Sequence, residues 1–200
     1  MSEQRVRGWG LLSAAAAPVF LIGGWTVAAA RQPERFDPVV DTISALAAHG
    51  ATSRWIMTVG LAGLGACHVL TSLALRPAAP AGRWLLAAGG VATALVAVFP
   101  LPADGSGSPA HTVAATLGFV ALAAWPALAW RRDADGLPAP LRPAVALPAA
   151  AVLLGLVGWF GAEVVSGGGR VGLSERVAAG AEALWPLAVV LGSRFGRRVH

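Results

Sequence analysis

Seven side chains are placed where they could do chemistry: Asp41, Ser44, Asp104, His111, Glu163, Arg176 and Glu182. The first two lie in Phe36-Asp-Pro-Val-Val-Asp-Thr-Ile-Ser-Ala-Leu-Ala-Ala-His-Gly50, which crowds two aspartates, a serine and a histidine between two long apolar runs. Carboxylates recognise amines and hydroxyls, a guanidinium suits phosphate, and acidic groups at membrane depth can carry protons. His111 with Asp104 and Asp41 offers imidazole and carboxylate donors for a divalent metal such as zinc, which would activate water. The spacing matches no common catalytic signature: His-Glu-x-x-His, Gly-x-Ser-x-Gly and Walker A patterns are missing from the sequence. Gly167-Gly168-Gly169 lacks the lysine and strand context of a phosphate cradle and reads as a flexible connector.

The background of these groups is apolar. Of 200 residues 56% are hydrophobic and 12% charged, and the mean hydropathy is +0.66, which places the chain among membrane proteins. All fifteen basic residues are arginine, and the net charge is +5. They sit at the ends of apolar runs rather than on one face, so the charge anchors a membrane protein and does not indicate nucleic acid. The single Cys67 excludes an internal disulfide and reads as a small packing residue.

The sequence predicts an all-α, polytopic single domain with six transmembrane helices, at about 8–30, 55–75, 84–100, 111–130, 144–165 and 177–193. Arg5 and Arg7 before an apolar run ending in Ala28-Ala29-Ala30 imitate a signal peptide, but that run exceeds the usual 7–15 residues, so it is read as a retained span. Arg5, Arg7, Arg76, Arg83, Arg131, Arg132, Arg142, Arg194, Arg197 and Arg198 fall on one side. Arg31, Arg35, Arg54, Arg170 and Arg176 fall on the other. The positive-inside rule then puts both termini in the cytoplasm of a multi-pass protein of the cell membrane. Trp55, Trp84 and Trp130 lie near span ends, where tryptophan anchors at the interface.

In the first outer loop Asp37 is expected to cap, and Pro38 to start, a short amphipathic helix. Asp37, Asp41 and Ser44 would share its polar face and Val40, Ile43 and Ala47 its apolar one, so it would lie at the interface or dip against the bundle. Asp104, His111, Glu163, Arg176 and Glu182 are expected at similar depth, with Glu182 about 8 Å inside the sixth span. They imply a polar pocket opening outward. Arg54, Arg170 and Arg176 are near enough in this topology to be counter-ions. His49 reads as a solvated turn residue, and His68, mid-span, as a hydrogen-bond donor to a neighbouring helix. Gly60, Ala62, Gly63 and Ala66 permit close helix contact, either within the bundle or in a homo-oligomer.

Three sets of residues carry a family resemblance: Pro38 with Ile43-Ser44-x-Leu46; Phe99-Pro100 and Asp104 ahead of His111-x-x-x-Ala115; and Gly172-Leu173-x-x-Arg176. Together they resemble the prokaryotic domain-of-unknown-function 998 membrane proteins over most of the chain. More distantly, the Ile-Ser-x-Leu loop is similar to the Frag1/DRAM/Sfk1 group of six-helix membrane proteins. Ala47 stands where such families usually show glycine. The resemblance implies six helices and a shared outer polar cluster, and supplies no activity or cofactor.

Three functions fit. The first is recognition of a lipid headgroup or small polar molecule in the outward pocket, with membrane lipids as partners. The second is a metal-dependent intramembrane lipid hydrolase or transferase at His111, Asp104 and Asp41. The third is a small proton-coupled transporter using Glu182 and Glu163.

Overall fold

The computed structural model describes residues 6–33, 36–104, 106–131 and 137–195. Of the arginines used to orient the chain, Arg5, Arg35, Arg132, Arg197 and Arg198 lie outside the described residues. The described chain is all-α. Its elements are α1 (Gly8–Ala29), α2 (Ile43–Ala47), α3 (Trp55–Ala74), α4 (Pro80–Val98), α5 (Pro109–Ala129), α6 (Pro143–Ser166) and α7 (Val171–Phe195), with a short 3₁₀ turn at Ala139–Leu141.

Five helices, α1 and α3 to α6, are long and apolar enough to cross a membrane, which makes the chain a multi-pass membrane protein. Their lipid-facing sides are plain: Leu12, Val19, Val98, Val152 and Val165 are all more than 60% exposed. Trp55 and Trp84, also exposed, sit at the first residue of α3 and the fifth of α4, where an amphipathic ring anchors a helix at the interface. Helix α7 has 25 residues, long enough for a crossing, but Glu175, Arg176, Glu182 and Arg194 make it less apolar than the other five.

Prolines set three of the starts. Pro80, Pro109 and Pro143 stand in the first turns of α4, α5 and α6, where the absent N–H is not needed and the fixed φ suits the helix. This is why α4 begins at Pro80 rather than at 84. Helix α1 is continuous but loosens into a π turn at Val19–Gly23, directly after Pro18.

Close packing relies on small residues, as helices in lipid require. A Cβ on Gly65 would meet the Gly90 carbonyl, and one on Gly90 would meet the Gly65 carbonyl, so α3 and α4 touch backbone to backbone. Gly60 and Gly63 face Phe20 of α1, which assigns them to contact within the bundle, whereas Ala62 and Ala66 are exposed. The apolar interior divides into two clusters. One, towards α2, contains Leu21, Ile43, Leu46, Met57 and Leu64. The other, towards the start of α1 and the end of α7, contains Leu86, Leu122, Trp125, Val189 and Val190.

Candidate functional site

The site is built at the end of the bundle opposite the start of α1 and the end of α7, by the segment that joins α1 to α3. Here the cap of the short helix is Thr42, whose Oγ1 accepts the Ala45 N–H at 3.0 Å, and not Asp37. Asp37 instead accepts from Val39 N–H, and Asp41 accepts from Asp37 N–H, both at 2.8 Å, which folds residues 37–41 into a turn. The helix is therefore five residues long. It dips against the bundle with Ile43, Leu46 and Ala47 buried, so Ser44 points into the bundle instead of sharing a face with the aspartates.

This turn docks on the start of α7. Gly172 N–H donates to Val40 O (3.2 Å) and Leu173 N–H to Val39 O (2.9 Å), which satisfies first-turn donors that a helix cannot satisfy itself. Arg176 Nη1 donates to the carbonyls of Pro38 (2.8 Å), Asp41 (2.7 Å) and Gly172 (2.9 Å). A side chain at Gly172 would collide with the Asp41 carbonyl. The spacing Gly172-Leu173-x-x-Arg176 is thus a clamp: the glycine admits the turn, and the arginine one helical turn later ties it down.

Between them lies Glu175, a residue to which the sequence reading gave no role. It is 4% exposed. Its Oε2 accepts the Ile43 N–H, and its Oε1 lies 3.4 Å from Ser44 Oγ. Ser44 Oγ lies 3.2 Å from His111 Nε2, and His111 Nδ1 lies 2.9 Å from the Phe99 carbonyl. A carbonyl only accepts, so Nδ1 carries a proton. His111 is fixed from its backbone as well, since Ser108 Oγ accepts its N–H at 3.3 Å as the cap of α5.

Ser44 and Glu175 line a cavity of about 50 Å³ that reaches inward to Thr93, His68 and Glu182. Its walls include Leu21, Leu61, Leu64 and Leu122, so it lies where the two apolar clusters meet. His68 is 0% exposed and, among the described residues, neither ring nitrogen has a hydrogen-bond partner, which replaces the interhelical donor role expected for it. Glu182 is 2% exposed and its Oε1 also lacks a partner among the described residues.

Of the seven side chains singled out by sequence, Ser44, His111 and Glu182 converge on this cavity or its rim, and Arg176 holds the rim in place. The other three do not join them. Asp41 shapes its own turn. Asp104 is exposed and accepts Ser106 N–H at 2.9 Å; its hydrogen bonds with Ser106 hold its carboxyl below the usual carboxylate range. Glu163 accepts the Trp159 indole N–H (3.3 Å) and the Arg170 backbone N–H (3.1 Å), closing the turn between α6 and α7. No three His, Cys, Asp or Glu side chains among the described residues are grouped to hold a metal ion, so His111, Asp104 and Asp41 do not form the ligand set proposed from their types. Of the three arginines expected as counter-ions, Arg54 donates from Nε to the Ala47 carbonyl at 3.1 Å and Arg170 meets Glu163 through its backbone, whereas Arg176 grips carbonyls and its charge also acts on Glu175, Asp41 and Asp37.

The signal for Glu175 was its spacing. Residues 175, 179 and 182 recur at i, i+4 and i+7 and share one helix face, and all three line the cavity. Placing the last span at 177 left Glu175 outside it, among loop charges.

The family described as "Protein of unknown function (DUF998)" matches residues 14–192. The chain belongs to this family. The match runs from α1 to near the end of α7 and so covers the Ser44 segment, the clamp and the cavity together. No curated protein and no solved structure matches the chain. The comparisons supply no link to the Frag1/DRAM/Sfk1 group.

Proposed function

We propose that this protein of the DUF998 family is a six-crossing protein of the cell membrane, with cytoplasmic termini, whose outer polar pocket binds an amine- or hydroxyl-bearing group. The favoured ligand is a lipid headgroup. Helix α7 is the sixth crossing: at 1.5 Å per residue it is about 37 Å long, enough for a bilayer core. The observation that carries the reading is Glu175 held at the rim of a cavity that also contains Glu182. Two acidic side chains in one lipid-buried space favour a ligand that brings positive charge or donors. Arg176 lies beside Glu175 and acts on it through space, while its Nη1 is committed to three carbonyls.

The test is thermal unfolding of purified protein in detergent with added phosphatidylethanolamine, phosphatidylglycerol or free ethanolamine, since a ligand of the native state raises its stability. Stabilisation by phosphatidylethanolamine alone, lost in Glu175→Gln, supports headgroup recognition. Stabilisation by ethanolamine as well assigns the pocket to small amines. Equal stabilisation by both phospholipids, unchanged in the variant, overturns the proposal.

A second reading, proton-coupled transport, is favoured by one observation: His68 and Glu182 line the deeper part of the same cavity. Glu182 keeps the role given it above, and Glu163, tied to the α6–α7 turn, has none in it.

A further inference from the structure

We infer that Glu175, Ser44 and His111 form an internal proton relay in which the Ser44 hydroxyl passes one proton between the cavity carboxyl and the imidazole. This goes beyond ligand binding and holds whether or not a ligand is present.

The hydrogen-bond pattern carries the inference. Oε2 of Glu175 is occupied by the Ile43 N–H, so a carboxyl proton resides on Oε1, which faces Ser44. Nδ1 of His111 keeps its proton against the Phe99 carbonyl, so only Nε2 exchanges, and it too faces Ser44. Ser44 has one proton and stands between two groups that each give or accept one. Two arrangements use every contact. In the first, Glu175 Oε1–H donates to Ser44 Oγ and Ser44 donates to Nε2 of a neutral imidazole. In the second, the imidazolium Nε2–H donates to Oγ and Ser44 donates to the carboxylate.

Passing from the first to the second breaks the Oε1–H and original Oγ–H bonds and forms a new Oγ–H and an Nε2–H bond. One proton has moved from carboxyl to imidazole, and the trio's total charge is zero in both states. No net charge enters the buried region, which is the costly step in lipid. Adding or removing a proton instead leaves Ser44 between two donors, or with one proton for two acceptors, so the trio favours holding one transferable proton. The relay gives the cavity a carboxylate on arrival of a cationic group without exchanging a proton with solvent.

The charged and titratable groups around it are Arg176 on the same helix, Asp37 and Asp41 on the docked turn, and His68 and Glu182 across the cavity. Each acts through space, so the hydroxyl's own part must be isolated. The experiment is a pH titration of His111 ring-nitrogen resonances in full-length protein carrying ¹⁵N-histidine, in lipid nanodiscs, with the signal assigned by His111→Phe. The relay predicts that Glu175→Gln displaces the His111 titration in the Ser44 protein. The displacement shrinks markedly in a Ser44→Ala background and returns in Ser44→Thr, which keeps a hydroxyl and shows that the rim still folds. A displacement of the same size with and without the hydroxyl means that the field alone couples the two groups and overturns the relay. No displacement in the Ser44 protein overturns it as well.

Discussion

The Glu175 carboxylate accepts the backbone N–H of Ile43, 132 positions earlier in the chain. This bond fixes the Ser44 segment to the last helix inside a buried rim. Glu175→Ala leaves that N–H without its partner, and such a loss costs about 1–3 kcal/mol. Glu175→Gln keeps an oxygen acceptor in place and costs less. Reversible unfolding in mixed micelles should rank the proteins as wild type, then Glu175→Gln, then Glu175→Ala; equal stability for all three would show that the bond does not hold the rim.

The clamp makes a paired prediction. Gly172→Ala drives a methyl group into the Asp41 carbonyl, with the Pro38 carbonyl 2.8 Å from the same point, whereas a Cβ on Gly169 meets nothing within 4 Å. Overpacking of this kind costs roughly 1–3 kcal/mol and forces the turn away from α7. Limited proteolysis should therefore cut the 36–54 segment faster in Gly172→Ala and at the wild-type rate in Gly169→Ala. Matching rates in the two variants would contradict the clamp.

Arg176 is predicted to act on the same segment through its carbonyl contacts. Arg176→Ala removes one donor group from three carbonyls, while Arg176→Lys supplies an ammonium that reaches fewer of them. Hydrogen exchange at Gly172 and Leu173, whose N–H groups hold the turn, should quicken most in Arg176→Ala and to an intermediate degree in Arg176→Lys. Unchanged exchange in both would leave the turn held by its backbone bonds alone.

The proposed orientation can be read with single cysteines. Cys67→Ala removes the native thiol, and Ser106→Cys or Arg76→Cys then places one on an exposed connector at either end of the bundle. A membrane-impermeant maleimide should label Ser106→Cys on intact cells and Arg76→Cys only after lysis. The reverse pattern would invert the topology.

The helices were legible in the sequence because long apolar runs in a chain without period-two alternation leave few other solutions in lipid. Their starts were less so, since apolarity says nothing of Pro80 as a first-turn residue, and α7 begins six residues before its apolar stretch because its opening turn faces the docked segment. Ser44, His111 and Glu182 were legible by type and depth. Asp104 and Glu163 misled for a physical reason: each satisfies local backbone N–H groups, which a side-chain type cannot disclose. Glu175 was hidden beside Arg176, where opposite charges at a helix start read as solvated loop residues. Its partner lies in a segment 132 positions away, and only the fold brings them together.

A buried acidic side chain presented to a ligand at one end of the bundle is the centre of the proposed function. Its most direct test is native mass spectrometry of the protein released gently from its own membrane, with fragmentation of any bound lipid. The wild-type protein should carry a phospholipid with an amine in its headgroup, and Glu175→Gln, purified in parallel, should carry several-fold less of it. A wild-type protein without such a lipid, or equal amounts on both proteins, would contradict it.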